Sequence, residues 1–516
     1  MIAKTWHKGT SFQKFLALLL PIIIFRFIFS TSVGLIDDEA YHWTWAKELA
    51  LSYFDHPGLV AWLEAISIGT FGDSEGAVRL PAFLAYLMTL GFAMHLARTL
   101  FDEWAAYALA GLMLFTPIWG IGGYVASPEP FFMMFWIMAS WVFWQGVRED
   151  GQSWSAKKTW LCLGILMGLG LNSKFPMALL AFGFGLYLLL TPARRRDLLG
   201  PWPWIGVLIA TVLCLPIFVW NDMANWPGFK YQFHDRHTGS SFSLERWLVW
   251  WAAQLLLVTP FVYALLILTF VQSWIYRNDH RWRFLFSLAI PTLLVFYIQP
   301  FFADYKPHWP APGYFLLALA AGESWRKGLS WGDRELLRPQ SKILLGGAFA
   351  FLIPLNIFVY STFVTPWLPK VYRIVQPGKQ WETTWDFSNE FTGWKELGDE
   401  LNRRQREIHA ETGRRPFLAA FRYETTAQTY WGAKQKTFQL AEIPSHYTIS
   451  QKLSGSLPQM YGLDALIVTT EKYPADPMKR VKFDQCRREI LRTYRGVEHA
   501  RTFSIWFCQN FQGMLN

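Results

Sequence analysis

Three consecutive carboxylates, Asp37, Asp38 and Glu39, stand in the run Leu35-Ile36-Asp37-Asp38-Glu39-Ala40-Tyr41-His42-Trp43, directly behind an apolar stretch. Further along, the chain reads Leu51-Ser52-Tyr53-Phe54-Asp55-His56-Pro57. Acids at the end of an apolar helix are costly unless water, a cation or a substrate uses them. One carboxylate would complement the positive end of a helix starting near Ala40, but that need does not account for three. A carboxylate within hydrogen-bond reach of a hydroxyl, at a protected and hydrated site, is a general base. Asp55 and His56 are ordinary ligand types for zinc or a similar divalent cation, though two neighbours need a partner from elsewhere. His234, with Asp235 and His237 close by, can supply it; a hydrated polar loop is the plainer reading of the same residues.

Three more groups belong with these. Glu129 sits between Pro128 and Pro130, which fix a turn and present the carboxylate outward. Lys174 follows Asn172 and Ser173 in a tight turn, and Lys306 and His308 lie among aromatics and prolines. Lysine at the end of an apolar segment often only snorkels to the interface. Here, carboxylates for acid–base work stand beside cations for a phosphate-like leaving group. That combination suits transfer of a group from a phosphorylated, membrane-bound donor.

The chain that must position these residues has 516 of them, 52% hydrophobic, 18% aromatic and 17% charged, with 29 Trp and 43 Phe. Such a composition belongs to a polytopic helical membrane protein whose rings anchor at headgroup depth. The net charge of +10 would suit nucleic acid, but the basic residues lie between apolar segments, so no nucleic-acid partner is expected. A span needs about 20 apolar residues. Eleven read along the chain, near 14–34, 79–100, 104–124, 130–147, 159–172, 175–191, 203–220, 247–271, 284–302, 310–325 and 342–363. The first has no small-residue cleavage site behind it and reads as a retained helix.

With eleven crossings, Lys4, Lys8 and Lys14, Arg148, Lys157 and Lys158, Arg194 to Arg196, Arg277, Arg281 and Arg283, and Arg326, Lys327, Arg334 and Arg338 all fall on one side. The positive-inside rule makes that side cytoplasmic, and one span fewer would scatter the pattern. The acidic motif, Glu129, Lys174, the 221–246 loop, Lys306 and the tail beyond about 364 then share the opposite face. Trp43, Leu49, Leu51 and Tyr53, with Lys47 and Glu48 between, read as an interfacial helix lying along the membrane.

Two domains follow: residues 1–363, a transmembrane domain with loops 35–78 and 221–246, and residues 364–516, a small soluble α/β domain. In the tail, Pro416–Ala420 and Leu463–Thr470 read as buried strands and Leu401–Glu411 as a helix. Cys162 and Cys214 read as small hydrophobes inside spans. Cys486 and Cys508 lie in the more oxidising compartment, where a disulfide between them is open, since sequence carries no distance.

The segments Asp38-Glu39-Ala40-Tyr41-His42-Trp43 and Leu51-Ser52-Tyr53-Phe54-Asp55-His56-Pro57 resemble bacterial members of the dolichyl-phosphate-mannose-protein mannosyltransferase family. They are also similar to the lipid A aminoarabinose transferases; both are multi-spanning glycosyltransferases of the C-type (GT-C) fold. The resemblance runs from about residue 10 to 325, with an echo at Phe391–Leu397. It implies a polyprenyl-phosphate sugar donor, no nucleotide, and an acceptor hydroxyl on lipid A, an envelope glycan or a protein. It also implies a bacterial inner-membrane enzyme with its active site and C-terminal domain on the periplasmic face. By the same resemblance Asp38 is the base, Glu39 stands beside it, and Ser127-Pro128-Glu129 replaces the family's Thr-Pro-Asp. Asp55 takes the place of a metal-binding Glu and His56 that of a Lys beside the donor, while the partner His of that metal site falls near His234. Lys174 and Lys306 match positions facing the donor phosphate. The implied reaction is inverting displacement, with Asp38 deprotonating the acceptor and the lysines stabilising the departing polyprenyl phosphate.

Two other readings use the same features. A transporter or flippase of a polyprenyl-linked glycan explains the spans, but such proteins bind near the midplane and show inverted repeats, of which none is visible here. An oligosaccharide ligase or polymerase shares the donor and differs in transferring a chain.

Overall fold

The computed structural model describes residues 2–235, 241–331, 334–337, 342–441 and 445–515. In chain order its helices begin with α1 (Ile2–Ser32), α2 (Asp37–Lys47), α3 (Leu59–Phe71), α4 (Glu75–Leu100), α5 (Glu103–Phe115), α6 (Pro117–Gly120), α7 (Pro128–Val147), α8 (Ala156–Leu171), α9 (Ala178–Leu190), α10 (Pro201–Leu213) and α11 (Leu215–Met223). There follow α12 (Pro227–Lys230), α13 (Leu244–Leu257), α14 (Pro260–Ile275), α15 (His280–Ile298), α16 (Ala311–Ala318), α17 (Ala321–Lys327), α18 (Lys342–Val364), α19 (Leu368–Val375), α20 (Trp394–Thr412), α21 (Tyr423–Ala433) and α22 (His446–Ser454). The chain divides into two compact units, one of residues 1–27, 56–60 and 79–356, the other of residues 28–55, 61–78 and 357–516.

Each predicted span carries helix, but not every one is a straight crossing. Among the described residues four helices are long and apolar enough to span a membrane, or up to eight if each bent pair is one span. The predicted 247–271 span is two helices, α13 and α14, bent by 105°. The 104–124 and 203–220 segments bend by 79° and 41°. The cause is local in each case. Thr116-Pro117, Leu215-Pro216 and Thr259-Pro260 each put proline in the first turn of the following helix, where its missing N–H costs nothing but the preceding helix cannot continue.

The bend between α5 and α6 is used. Arg26 of α1, only 1% exposed, donates to the carbonyls of Leu114 and of Gly120 (2.5 Å) and to Asn356 Oδ1 (3.3 Å). Carbonyls near the break thus satisfy a buried guanidinium that would otherwise be prohibitive in this setting. A Cβ on Gly120 would lie 2.1 Å from the Leu114 oxygen, so only glycine lets the chain fold back that closely.

The second unit contains a sheet. Two short pairs stand apart from the main sheet: β1 (Leu329–Trp331) with β2 (Arg334–Leu337), in the first unit, and β6 (Val481–Lys482) with β9 (Gly513–Met514), in the second. The main sheet has the order β4-β3-β5-β8-β7, from β3 (Phe417–Ala420), β4 (Thr437–Gln439), β5 (Ala465–Thr470), β7 (Gln485–Arg495) and β8 (Glu498–Gln509). β3, β4 and β5 run parallel, and the β7–β8 hairpin adds antiparallel strands at one side. Alternate residues of β5 face opposite cores, Leu466 and Val468 with Trp394, Leu397 and Phe503, Ile467 with Phe417, Phe483 and Phe511. Cys486 and Cys508 are directly opposed on β7 and β8, with Cα atoms 4.1 Å apart, and are joined in a disulfide.

Helix α2 corrects one expectation. It ends at Lys47, short of the 43–53 stretch that the pattern predicts as helical, and its axis turns by 74° from that of α1. Trp43 packs edge-on against Tyr430 and Trp431 of α21, each at 5.0 Å, and Tyr447 donates to Thr44 Oγ1 at 3.0 Å. Trp43, Trp45 and Tyr53 are buried, whereas Leu49 and Leu51 are exposed.

Candidate active site

The three adjacent acids have three different environments. Glu39 is fully buried, and its Oε2 accepts the Ile36 N–H at 3.1 Å, so it caps the helix that presents its neighbours. Asp37 accepts from Gln428 Nε2 at 3.3 Å and lies 3.6 Å from Lys472 Nζ. Lys472 also reaches Glu390 at 2.9 Å, and Arg501 reaches the other Glu390 oxygen at 3.1 Å. Asp38 is exposed beside Tyr423, and among the described residues no hydrogen bond or ion pair engages it.

Burial, and then the Glu390 charge, push the Asp37 carboxyl up to about 6, against the pull of Arg501 and Lys472. The group is only 15% exposed, and in the unfolded chain it would titrate near 3.8. Between those values the folded protein holds a proton that the unfolded one has released. Its contribution to stability therefore falls as pH rises from about 4 to about 6, by ~3 kcal/mol in total, and is flat above. Asp37→Asn removes the titration. Its thermal midpoint should lose less than the parent's between pH 4 and pH 7, and an unchanged difference would refute the assignment.

Sequence reasoning missed Glu64. It lies on α3, fully buried, and among the described residues neither oxygen has a hydrogen-bond partner. Burial, and then the nearby Glu39, hold its carboxyl well above the usual range. A lone acid in Leu59-Val60-Ala61-Trp62-Leu63-Glu64-Ala65-Ile66 was the available signal.

The other cluster belongs to the first unit. Lys174, 7% exposed, places Nζ 2.5 Å from Glu129 Oε1, and His308 Nε2 lies 3.2 Å from the same oxygen. His56 is within electrostatic reach of that carboxylate. The Lys174 turn is fixed by Asn172, which donates to the Gly168 and Leu213 carbonyls, and by Ser173, which donates to Gly170. The Asn172 carbonyl accepts the Leu59 N–H at 3.1 Å and ties the 56–60 segment to that turn. Gln254 donates to the Pro307 carbonyl at 3.0 Å and accepts from Tyr314, which holds the loop bearing His308. Lys306, on the same loop, is exposed, and among the described residues no partner engages its ammonium.

Next to Lys174 begins an apolar cavity of about 540 Å³ between α8, α9, α10 and α11, lined by Trp160, Met167, Phe175, Phe184, Phe218 and Phe229 among others. Phe175 follows Lys174 directly in the chain, so the cationic turn stands at one end of the cavity.

Asp55 Oδ2 accepts the Tyr41 hydroxyl at 2.5 Å, and His234 is exposed on a π-helical turn, Tyr231–Asp235. Among the described residues no group of three or more His, Cys, Asp or Glu side chains converges. His237 lies outside the described residues, as does Arg338.

Comparison with known proteins agrees with this architecture. Residues 55–220 match the model of the family described as dolichyl-phosphate-mannose-protein mannosyltransferase. The lipid A galacturonosyltransferase RgtD of Rhizobium johnstonii is 24% identical over 332 residues, 62% of this chain and 65% of that protein. The undecaprenyl phosphate-alpha-4-amino-4-deoxy-L-arabinose arabinosyl transferase of Pseudomonas aeruginosa is 28% identical over 324 residues, 61% of this chain and 57% of that protein. The match thus spans less than two thirds of either relative. The crystal structure of ArnT from Cupriavidus metallidurans bound to undecaprenyl phosphate matches with a TM-score of 0.63 over 95% of this chain and 97% of that one, at 14% identity. Its apo state matches with a TM-score of 0.62 over 98% of both chains, at 13% identity. The fold is that of the ArnT structures. The chain resembles the ArnT-like transferases, as the motifs around Asp38 and Asp55 imply.

Proposed function

We propose that this protein transfers a sugar from a polyprenyl-phosphate donor to an acceptor hydroxyl, with inversion and without a nucleotide. Lipid A is the first acceptor to test, because RgtD carries it in its name. The observation that carries the proposal is Lys174, held with His308 on Glu129 in the turn that leads into an apolar cavity, a place for a phosphate with a long lipid tail.

In this reaction the prenyl chain occupies the cavity below Phe175, and Lys306 and Lys174 meet the phosphate. Asp38 accepts the acceptor's hydroxyl proton as the oxygen attacks the anomeric carbon. The bond from that carbon to the phosphate oxygen breaks, and polyprenyl phosphate leaves as an anion stabilised by the lysines. Glu129 holds Lys174 and His308 in place, and Glu39 fixes the first turn of α2. The test is reconstitution with an undecaprenyl-phosphate sugar and lipid A, reading modified lipid A and released undecaprenyl phosphate by mass spectrometry. Release of undecaprenyl phosphate without a glycosylated product would overturn the acceptor assignment. Absence of both would overturn the reaction.

The proposal also places residues 1–363 in the inner membrane as eleven crossings and residues 364–516 in the periplasm. The Cys486–Cys508 disulfide supports an oxidising compartment for the tail. Reporter fusions at residues 195 and 330 should register cytoplasm, and those near residue 60 and at residue 450 periplasm. A cytoplasmic signal at 450 would refute the eleven-span topology.

A further inference from the structure

We infer that the α/β domain of the tail carries a saccharide-binding cleft on the open part of its sheet, built on Trp506 and Arg488. Strand register sets it up. Ile467, Trp506 and Arg488 lie side by side across β5, β8 and β7, and Thr469, Ser504 and Ile490 form the next row on the same face. The aromatic core of Phe417, Phe483 and Phe511 covers the Ile467 end of this face. Beyond it the sheet opens into a cleft of about 460 Å³, bounded by the chain from Glu471 to Asp476.

The lining has the chemistry of a polyol site. Trp506 is partly exposed, and its Nε1 donates to Thr469 Oγ1 at 3.3 Å, which anchors the indole edge and leaves its ring in the cleft wall. Arg488 Nε and Nη2 both donate to Ser504 Oγ, at 3.1 and 2.8 Å, and the guanidinium carbon lies 5.4 Å from the indole centroid. Among the described residues Arg488 has no carboxylate partner, whereas Arg373, Arg403, Arg404, Arg422 and Arg501 each have one. Its outer N–H groups are left for a ligand. Glu471 and Asp476 on the rim can only accept hydrogen bonds when ionised. They would repel a bare anion but accept from sugar hydroxyls, while Arg488 donates to sugar oxygens and the ring packs against C–H groups. A mixed set of acceptor, donor and flat apolar surface selects a saccharide over an inorganic anion.

In use, the cleft would hold a sugar of the acceptor glycan beyond the hydroxyl that reacts, and this use rests on the transfer reaction proposed above. Binding itself does not. The experiment is saturation-transfer NMR on the full-length protein in a detergent without a sugar headgroup, with chitobiose as the probe. The parent should give transfer signals at millimolar chitobiose. Arg488→Gln, at an exposed edge-strand position, and Trp506→Ala should each weaken them at least fivefold. Near-ultraviolet circular dichroism should show both variants folded; Arg488→Gln carries the test alone if Trp506→Ala is not. No signal in the parent, equal signals in Arg488→Gln, or displacement by equimolar inorganic phosphate would each overturn the inference. Undecaprenyl phosphate binding, measured on the same samples, should be unchanged by either variant. Its absence in the parent would count against the transfer reaction and leave the cleft standing.

Discussion

Asp38→Asn should lower turnover by about 100-fold or more while undecaprenyl phosphate still binds as in the parent. Asparagine keeps the shape and the helix turn but cannot take a proton. The lost factor corresponds to at least about 2.7 kcal/mol of transition-state stabilisation. The neighbours sharpen the test, because each of the three acids has a different environment. Asp37→Asn removes a charge already engaged by Gln428 and Lys472, and should cost less than about tenfold at neutral pH. Glu39→Gln keeps an oxygen that can accept from the Ile36 N–H, so it should also retain most activity. Single-turnover rates with a preloaded donor separate the chemical step from binding. A fast Asp38→Asn with a dead Asp37→Asn would move the base by one residue and turn Asp38 into a bystander.

What the sequence disclosed follows from how locally each feature is determined. Helices at the eleven expected places are encoded by runs of apolar residues, and the bends by Pro117, Pro216 and Pro260, so both could be read from a few neighbouring residues. The buried strands Phe417–Ala420 and Ala465–Thr470 were legible as short apolar runs. The β7–β8 hairpin was not, because Cys486-Arg487-Arg488-Glu489 is an edge strand with no buried face, its two arginines both exposed, and resembles a charged loop. The Asp38 motif was visible by its charge, yet its three acids could not be ranked. Their difference is made by Gln428 and Lys472, some four hundred residues away. The end of helix α2 at Lys47 was hidden for a similar reason: the aromatic and charged pattern runs on to Tyr53, while the packing of Trp43 against α21 is made by residues nearly four hundred positions away. Lys174 and Glu129 could be assigned to one face, but their pairing across 45 positions is tertiary information.

Lys174→Met should weaken undecaprenyl phosphate binding by about 10- to 100-fold, since a nearly buried cation at the end of an apolar cavity meets the phosphate in a low dielectric. The same change would also strand Glu129. Removing one partner of a buried pair typically costs about 3–5 kcal/mol, although Glu129 is 30% exposed and His308 remains 3.2 Å away, so the lower end applies. Loss of binding in Lys174→Met alone could therefore reflect loosened structure. Two companions resolve this. Glu129→Gln/Lys174→Met removes both charges, and should recover the thermal midpoint while binding stays weak. Glu129→Gln alone frees Lys174 from its carboxylate, and should tighten the phosphate several-fold and slow product release, because the cluster gains a net positive charge where the leaving group departs. Recovery of binding in the double variant would reverse the assignment. Lys174 would then serve only to neutralise Glu129, and the phosphate contact would rest on Lys306, whose unpaired ammonium is the remaining cation on the 303–310 loop among the described residues.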